Sequence, residues 1–180
     1  MKLPIIQTKD FSLRPYKKED AESLAKNINN KKIYENTLNI PYPYTLKDAQ
    51  EWIAENLKEL KKENPSKINF VIDLNGETSG AIGFHQIEPH KAELGYWLAE
   101  KYWGRGIMTQ AVKLVTKFGF QGLGLAKIYV YVFSFNKASQ RVLEKANFKF
   151  EGILRKNRLK DGKLIDSHLF AKIKEKNGNL

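Results

Sequence analysis

Ala92-Glu93-Leu94-Gly95-Tyr96-Trp97-Leu98-Ala99-Glu100-Lys101-Tyr102-Trp103-Gly104-Arg105-Gly106-Ile107-Met108-Thr109 passes from a strand pattern to a helical one across two glycines. Ala92 to Leu98 reads as a β-strand, and its alternation places Glu93, Gly95 and Trp97 on one face. From Met108 the apolar residues recur at helical spacing through Ala111, Val112, Val115 and Phe118, with Gly119 as the predicted stop. Between the two elements, Gly104 and Gly106 let successive backbone N–H groups turn inward with no β-carbon in the way. Ile107, Met108 and Thr109 open the helix with unpaired N–H groups at the positive end of its dipole, and Arg105 can add charge. A pyrophosphate is the ligand this arrangement favours. No Gly-Lys-Ser/Thr follows, which argues against a nucleoside triphosphatase, and the dinucleotide fingerprint is left incomplete after Gly106.

Working upstream, Asn69–Leu74 and Thr78–Phe84 flank Asn75-Gly76, a strong hairpin signal. Phe11-Ser12-Leu13-Arg14 reads as a short strand, and Lys18 to Asn29 as a helix with Ala21, Leu24, Ala25 and Ile28 on one face. Two prolines keep Ile40-Pro41-Tyr42-Pro43-Tyr44 out of a helix. Thr45 with Asp48 then caps a predicted helix that runs to about Asn64 and buries Ala49, Trp52, Ile53, Leu57 and Leu60. Downstream come a strand at Lys127–Phe133, a helix at Lys137–Ala146, and strands near Phe148–Leu154 and Ser167–Ile173, with Asp161-Gly162 in the turn between them. The order predicts an α/β layered domain with a mixed, mostly antiparallel sheet flanked by helices, spanning residues 1–180 without an internal boundary.

Composition narrows the function. The 180 residues contain no cysteine, which excludes disulfides, thiolate metal sites and a cysteine nucleophile. His85, His90 and His168 lack the helical spacing of a metal pair, so no metal site is predicted. No apolar run reaches the roughly 18 residues of a membrane span, and the N-terminus has no signal-peptide core, so a cytoplasmic address is expected. The net charge of +11 suggests nucleic acid, yet the cations are interleaved with acids, as in Lys58-Glu59-Leu60-Lys61-Lys62-Glu63. Such a run reads as a solvated helix face, and the positive field suits an anionic small molecule.

The quoted stretch resembles the central cofactor motif of the GNAT acetyltransferase superfamily, and more narrowly its RimJ/RimL-type branch, whose named members acetylate ribosomal protein N-termini. Ile40-Pro41-Tyr42-Pro43-Tyr44-Thr45 with Asp48-Ala49 and Trp52-Ile53 is similar to that branch's early helical region. Asn136-Lys137-Ala138-Ser139 with Leu143-Glu144-Lys145-Ala146-Asn147-Phe148 is similar to its second cofactor segment. The resemblance implies an N-acetyltransferase that moves an acetyl group from acetyl-CoA to a primary amine, on a protein N-terminus (including a ribosomal one) or a small molecule. It implies cofactor contacts at Leu98, Ala99 and Asn136 beside the Gly104–Thr109 loop, with the Leu98 N–H polarising the acetyl carbonyl. Asn136 is also placed to cap the helix that follows it.

An attacking amine must first lose its proton. An α-amine, with a pKa of about 8, needs less help than a lysine, at about 10. Glu93 lies ten positions before Trp103, similar to the spacing of the catalytic glutamate in histone-acetylating members, and is the expected base, acting through water. Its alternative reading is a surface ion pair. Ser139 matches a serine implicated in the RimL-type branch as acid, and its alternative is a local cap. Leu143 stands where many members carry a tyrosine, and Arg158 aligns with the branch's partner glutamate. Met108 replaces a small loop residue, and Asn147 replaces a glycine at a position that needs left-handed backbone. The departures keep two other readings open: a CoA-binding protein without turnover, and a basic RNA- or ribosome-binding module.

Overall fold

The structure is a computed structural model that describes residues 3–175. The extreme ends of the domain expected over 1–180, including the start of the N-terminal segment, lie outside the described residues. In chain order the elements are β1 (Ile6–Gln7), β2 (Ser12–Arg14), a 3-10 turn (Lys18–Asp20), α1 (Ala21–Ile28), α2 (Lys31–Asn36) and α3 (Leu46–Glu59). They continue with β3 (Ile68–Leu74), β4 (Glu77–His85), β5 (Lys91–Leu98), a second 3-10 turn (Glu100–Tyr102), α4 (Ile107–Gly122), β6 (Lys127–Phe133), α5 (Lys137–Lys145), β7 (Lys149–Lys160) and β8 (Lys163–Ile173). The strands form one eight-stranded sheet in the order β1-β2-β3-β4-β5-β6-β8-β7. The β5–β6 pair is parallel, whereas β1–β2, β2–β3, β3–β4, β6–β8 and β7–β8 are antiparallel. The predicted mixed α/β fold is the one observed.

The chain clusters into two compact units, the first running to Gln86 and resuming at Gly95–Ile107, the second comprising Ile87–Leu94 and the chain from Met108 onward. In the first unit, Leu24 and Ile28 of α1, Ile33 of α2, and Ala49 and Ile53 of α3 share a buried core with Val71, Ala81 and Trp97. The Arg14 guanidinium ties β2 to its surroundings through Asp20 at 2.7 Å and Asp73 at 2.6 Å. In the second unit, Ala111, Val112 and Val115 of α4, Ile128 and Val132 of β6, and Leu143 of α5 are buried.

Several local signals hold as read. Thr45 and Asp48 form a reciprocal capping box on α3. Asn75 and Gly76 (φ 57° and 85°) and Asp161 and Gly162 (φ 51° and 74°) occupy the left-handed region in their hairpin turns. Asn147 (φ 63°) closes α5, with its own N–H on Glu144 O and that of Phe148 on Leu143 O.

Other boundaries differ. Gly119 does not stop α4, because burial of Phe120 carries the helix on to Gly122, and the left-handed residue is Gly124. α3 ends at Glu59, short of Asn64. There the Glu59 carboxylate is buried, accepts from the Ser66 N–H and hydroxyl, and pairs with Lys62 at 2.5 Å. In the Lys58–Glu63 run Lys58, Lys61, Lys62 and Glu63 are exposed, in line with the solvated reading, while Glu59 is buried and the residues after it lie past the helix end. β1 and α2 were not anticipated. α2 is short and is held by the Asn30 side chain, which accepts from the N–H groups of Lys32 and Ile33.

Gly83 shows how closely β3 and β4 approach. A β-carbon there would lie 2.2 Å from both Ile68 O and Asn69 Oδ1, and Asn69 in turn donates to Asn56 Oδ1 of α3 at 2.8 Å. Gly83→Ala is expected to destabilise the fold by about 1–3 kcal/mol or more, read from denaturant unfolding; an unchanged midpoint would contradict the close approach.

Candidate active site

The loop after β5 has the shape an anion requires. Gly104 and Gly106 adopt φ of +76° and +78°, and a β-carbon built on either meets no protein atom within 4 Å. Open space on that side leaves the peptide N–H groups approachable, and the 16-residue α4 begins directly at Ile107. Trp103, Gly104, Arg105 and Gly106 are exposed, Ile107 and Met108 are buried, and Thr109 is half-buried. The Arg105 guanidinium rests over the Tyr102 ring at 5.5 Å. These features fit a pyrophosphate.

Trp103 anchors the loop. Its indole Nε1 donates to Leu98 O at 2.7 Å, a bond the sequence reading did not foresee. Next to it, Ala99 is engaged on both sides: its N–H donates to Ser79 O at 2.8 Å and its carbonyl accepts from the Tyr102 N–H. Because strand residues alternate in the direction of their main-chain groups, Ala99 facing β4 turns Leu98 N–H and C=O toward the opposite edge of β5. The parallel ladder from β5 to β6 pairs Lys91, Ala92 and Glu93 with Lys127, Ile128 and Tyr129, and among the described residues it goes no further.

Glu93 closes that ladder. Its carboxylate lies 3.6 Å from Arg158 Nη2, and the Arg158 guanidinium sits 4.7 Å over the Tyr131 ring. Burial pushes the Glu93 carboxyl above the usual glutamate range, and the pull of Arg158 in the other direction does not cancel it. The phenol of Tyr129 is raised as well, by burial first and then by the Glu93 charge. Glu93 is ion-paired, as its alternative reading expects, though half-buried and not at the open surface, and its carboxyl is shifted in the direction a base near neutral pH would need.

Asn136 caps α5 by accepting from the Ser139 N–H at 3.0 Å, so these two predicted residues are brought together in a cap. Both are half-buried. Leu143 is fully buried, which shows that the position usually held by tyrosine serves the core in this chain. His85 packs against Gly95: a β-carbon on that glycine would lie 3.3 Å from the imidazole Cδ2, so the missing side chain makes room for the ring. Burial and then the Lys67 charge hold the His85 pKa below the usual histidine range.

Comparison with known proteins places this geometry in a family. The acetyltransferase (GNAT) domain profile matches residues 10–149. The chain belongs to the GNAT acetyltransferase family. It is an acetyl-CoA-dependent N-acetyltransferase. A probable N-acetyltransferase of Bacillus subtilis, YjcK, is 31% identical over 93% of this chain and 96% of its own length. Spermidine N(1)-acetyltransferase of Escherichia coli is 27% identical over 79% of this chain and 74% of its own length. In fold, the chain is similar to RimL, a ribosomal L7/L12 α-N-protein acetyltransferase solved with coenzyme A, with a TM-score of 0.85, 23% identity, and coverage of 94% of this chain and 98% of that one. Among the described residues no helix is long and apolar enough to cross a membrane.

Gly106→Val tests the loop. The added β-carbon meets nothing within 4 Å, so the main folding cost expected is left-handed strain, about 1–2 kcal/mol or more for a β-branched residue. Acetyl-CoA affinity is expected to fall about tenfold or more through lost amide approach, with a small change in melting temperature. Calorimetric titration checks this, and an unchanged affinity would place the pyrophosphate elsewhere.

Proposed function

We propose that this enzyme transfers acetyl in a ternary complex, by direct attack of a primary amine on the thioester carbonyl. The observation that carries this reading is the pair of left-handed glycines opening onto α4, which fits the donor's pyrophosphate. Amides from Gly104 to Thr109 hold that group, with charge from Arg105 and a further contact from Asn136. Acetyl-CoA supplies the acetyl group as an activated thioester. With no cysteine to carry the acetyl group, one displacement is the simple route.

Glu93, through an intervening water, takes the amine proton as the nitrogen–carbon bond forms. Leu98 N–H stabilises the charge that grows on the carbonyl oxygen. The carbon–sulfur bond then breaks, and the sulfur leaves as a thiolate that Ser139 or water can protonate. Ala99, whose backbone is already engaged, contributes by holding Leu98 in line. Residues 3–175 act here as one catalytic domain. The proposal takes the acceptor from what the relatives act on: a protein N-terminus, ribosomal proteins included, or a small amine. A cytoplasmic site of action, where acetyl-CoA is available, belongs to the same proposal.

Incubation of the purified chain with acetyl-CoA and mixed amines, followed by free-thiol release and mass spectrometry of the acceptors, tests the activity. Thiol release without acceptor modification would reduce the chain to a CoA-binding protein. Salt-sensitive RNA binding that persists without CoA would support the basic-module reading instead.

Because protonated Glu93 cannot accept a proton, activity falls as pH drops through its raised pKa. The acidic limb of the kcat/KM profile is expected above the ordinary carboxylate range. Glu93→Gln should abolish that limb and slow lysine-like acceptors by about 100-fold or more, with a smaller effect on α-amines. Equal loss on both acceptor types, with the limb retained, would remove Glu93 from the role.

A further inference from the structure

Arg158 owes its position to a double bulge. On β7, Leu154 pairs with Ser167 and the next registered pair is Arg158 with Ile165, so Arg155, Lys156 and Asn157 all stand against Asp166 alone. Lys156 takes φ +50° within the bulge, and its N–H donates to Asp166 Oδ1 at 2.7 Å. Bulges of this kind re-aim the side chains that follow them. Ile165 alternates onto the face of Ser167 and Leu169, which pair with Phe133 and Tyr131 of β6, and Glu93 pairs with Tyr129. Arg158, Tyr131 and Glu93 therefore share one face of the sheet in this unit.

The guanidinium is poised and unsaturated. It carries five N–H donors, yet its separation from Glu93 Oε1, 3.6 Å, exceeds a hydrogen bond. Among the described residues its ionic and ring partners are Glu93, the Tyr131 ring and, electrostatically, the Tyr129 phenol, and its side chain remains 27% exposed. The ring contact places the guanidinium beside Glu93. An acceptor amine brought to Glu93 thus arrives within a few ångströms of a fixed, partly desolvated positive fork. A second ammonium on the acceptor would be repelled there. A carboxylate would find a bidentate partner.

We propose that Arg158 selects acceptors that carry a carboxylate close to the reacting amine, and discriminates against polyamines. This rests on the reading of Glu93 as the base. The shared chemistry covers a free amino acid and a peptide N-terminus with an acidic neighbour.

Steady-state kinetics with the purified chain and acetyl-CoA test it on free glutamate, on matched peptides beginning with serine followed by aspartate, alanine or lysine, and on spermidine. Acid-bearing acceptors are expected to lead and spermidine to trail; glutamate and the aspartate peptide separate the two sources. Measured on the plateau above the acidic limb, because loss of the Arg158 charge also lets the Glu93 carboxyl rise, Arg158→Gln should lower kcat/KM for acid-bearing acceptors about 10- to 100-fold through KM, and that of the alanine peptide less than about threefold. Arg158→Lys should restore part of the loss, and Arg158→Glu should invert the order toward spermidine. Thermal melts establish that the variants are folded. Wild-type preference for spermidine, or an equal loss on every acceptor in Arg158→Gln, would overturn the selection role and leave the acetyltransferase reading intact. Bound acetyl-CoA with transfer to no acceptor would remove both.

Discussion

The left-handed backbone at Gly104 and Gly106 is the constraint from which the donor end of the site follows. A side chain at either glycine would strain the turn and cover the amides that an incoming pyrophosphate needs. Such a loop is costly to hold in one shape by itself, and Trp103 holds it by a bond to the Leu98 carbonyl. That carbonyl points the same way as the Leu98 N–H, off the edge of β5 opposite β4. One indole thus couples the turn at Gly104 and Gly106 to the strand residue proposed to polarise the acetyl carbonyl, and Leu98, Trp103, Gly104 and Gly106 lie within the same compact unit.

The acceptor chemistry rests on a balance of opposite effects at Glu93. Burial raises the carboxyl, and the cation at 3.6 Å pulls it down. A tight bidentate pair would have left a permanently charged and weakly basic carboxylate. The loose separation, with Arg158 stacked on Tyr131, preserves basicity and keeps a positive charge on the same face. Where the resemblance implies a second acid, this chain carries Arg158, and the effect proposed for that cation is on which amines approach.

Local signals were the legible part of the fold. Asn75-Gly76, Asp161-Gly162, the Thr45–Asp48 cap and Asn147 each state a backbone requirement within a few residues, and each is met. The boundaries misread from sequence were settled by burial further away: Phe120 extends α4 past Gly119, and Glu59 ends α3 by turning to Ser66 and Lys62. α2 is too short to show a period, and its cap is an Asn30 that composition does not single out. In the candidate site, the left-handed backbone of the glycine loop and the strand position of Glu93 were legible because one continuous segment carries them. The Glu93–Arg158–Tyr131 arrangement was hidden, since three strands and a bulge bring it together.

The demands on acid and base are unequal, and the side chains follow that inequality. The leaving thiolate resembles a cysteine thiolate, with a pKa of about 8.5, so it departs near neutral pH with little help. Burying Leu143 where a tyrosine is common therefore removes an aid the reaction can spare. In the proposed role Ser139 offers a hydroxyl, while its N–H donates to Asn136 in the helix cap. An amine of pKa about 8 to 10 is mostly protonated at the same pH, so deprotonation is the step that needs a placed group. At Glu93 burial and the Arg158 charge act on the same carboxyl, and on the proposed mechanism differences between acceptors should be felt most strongly there.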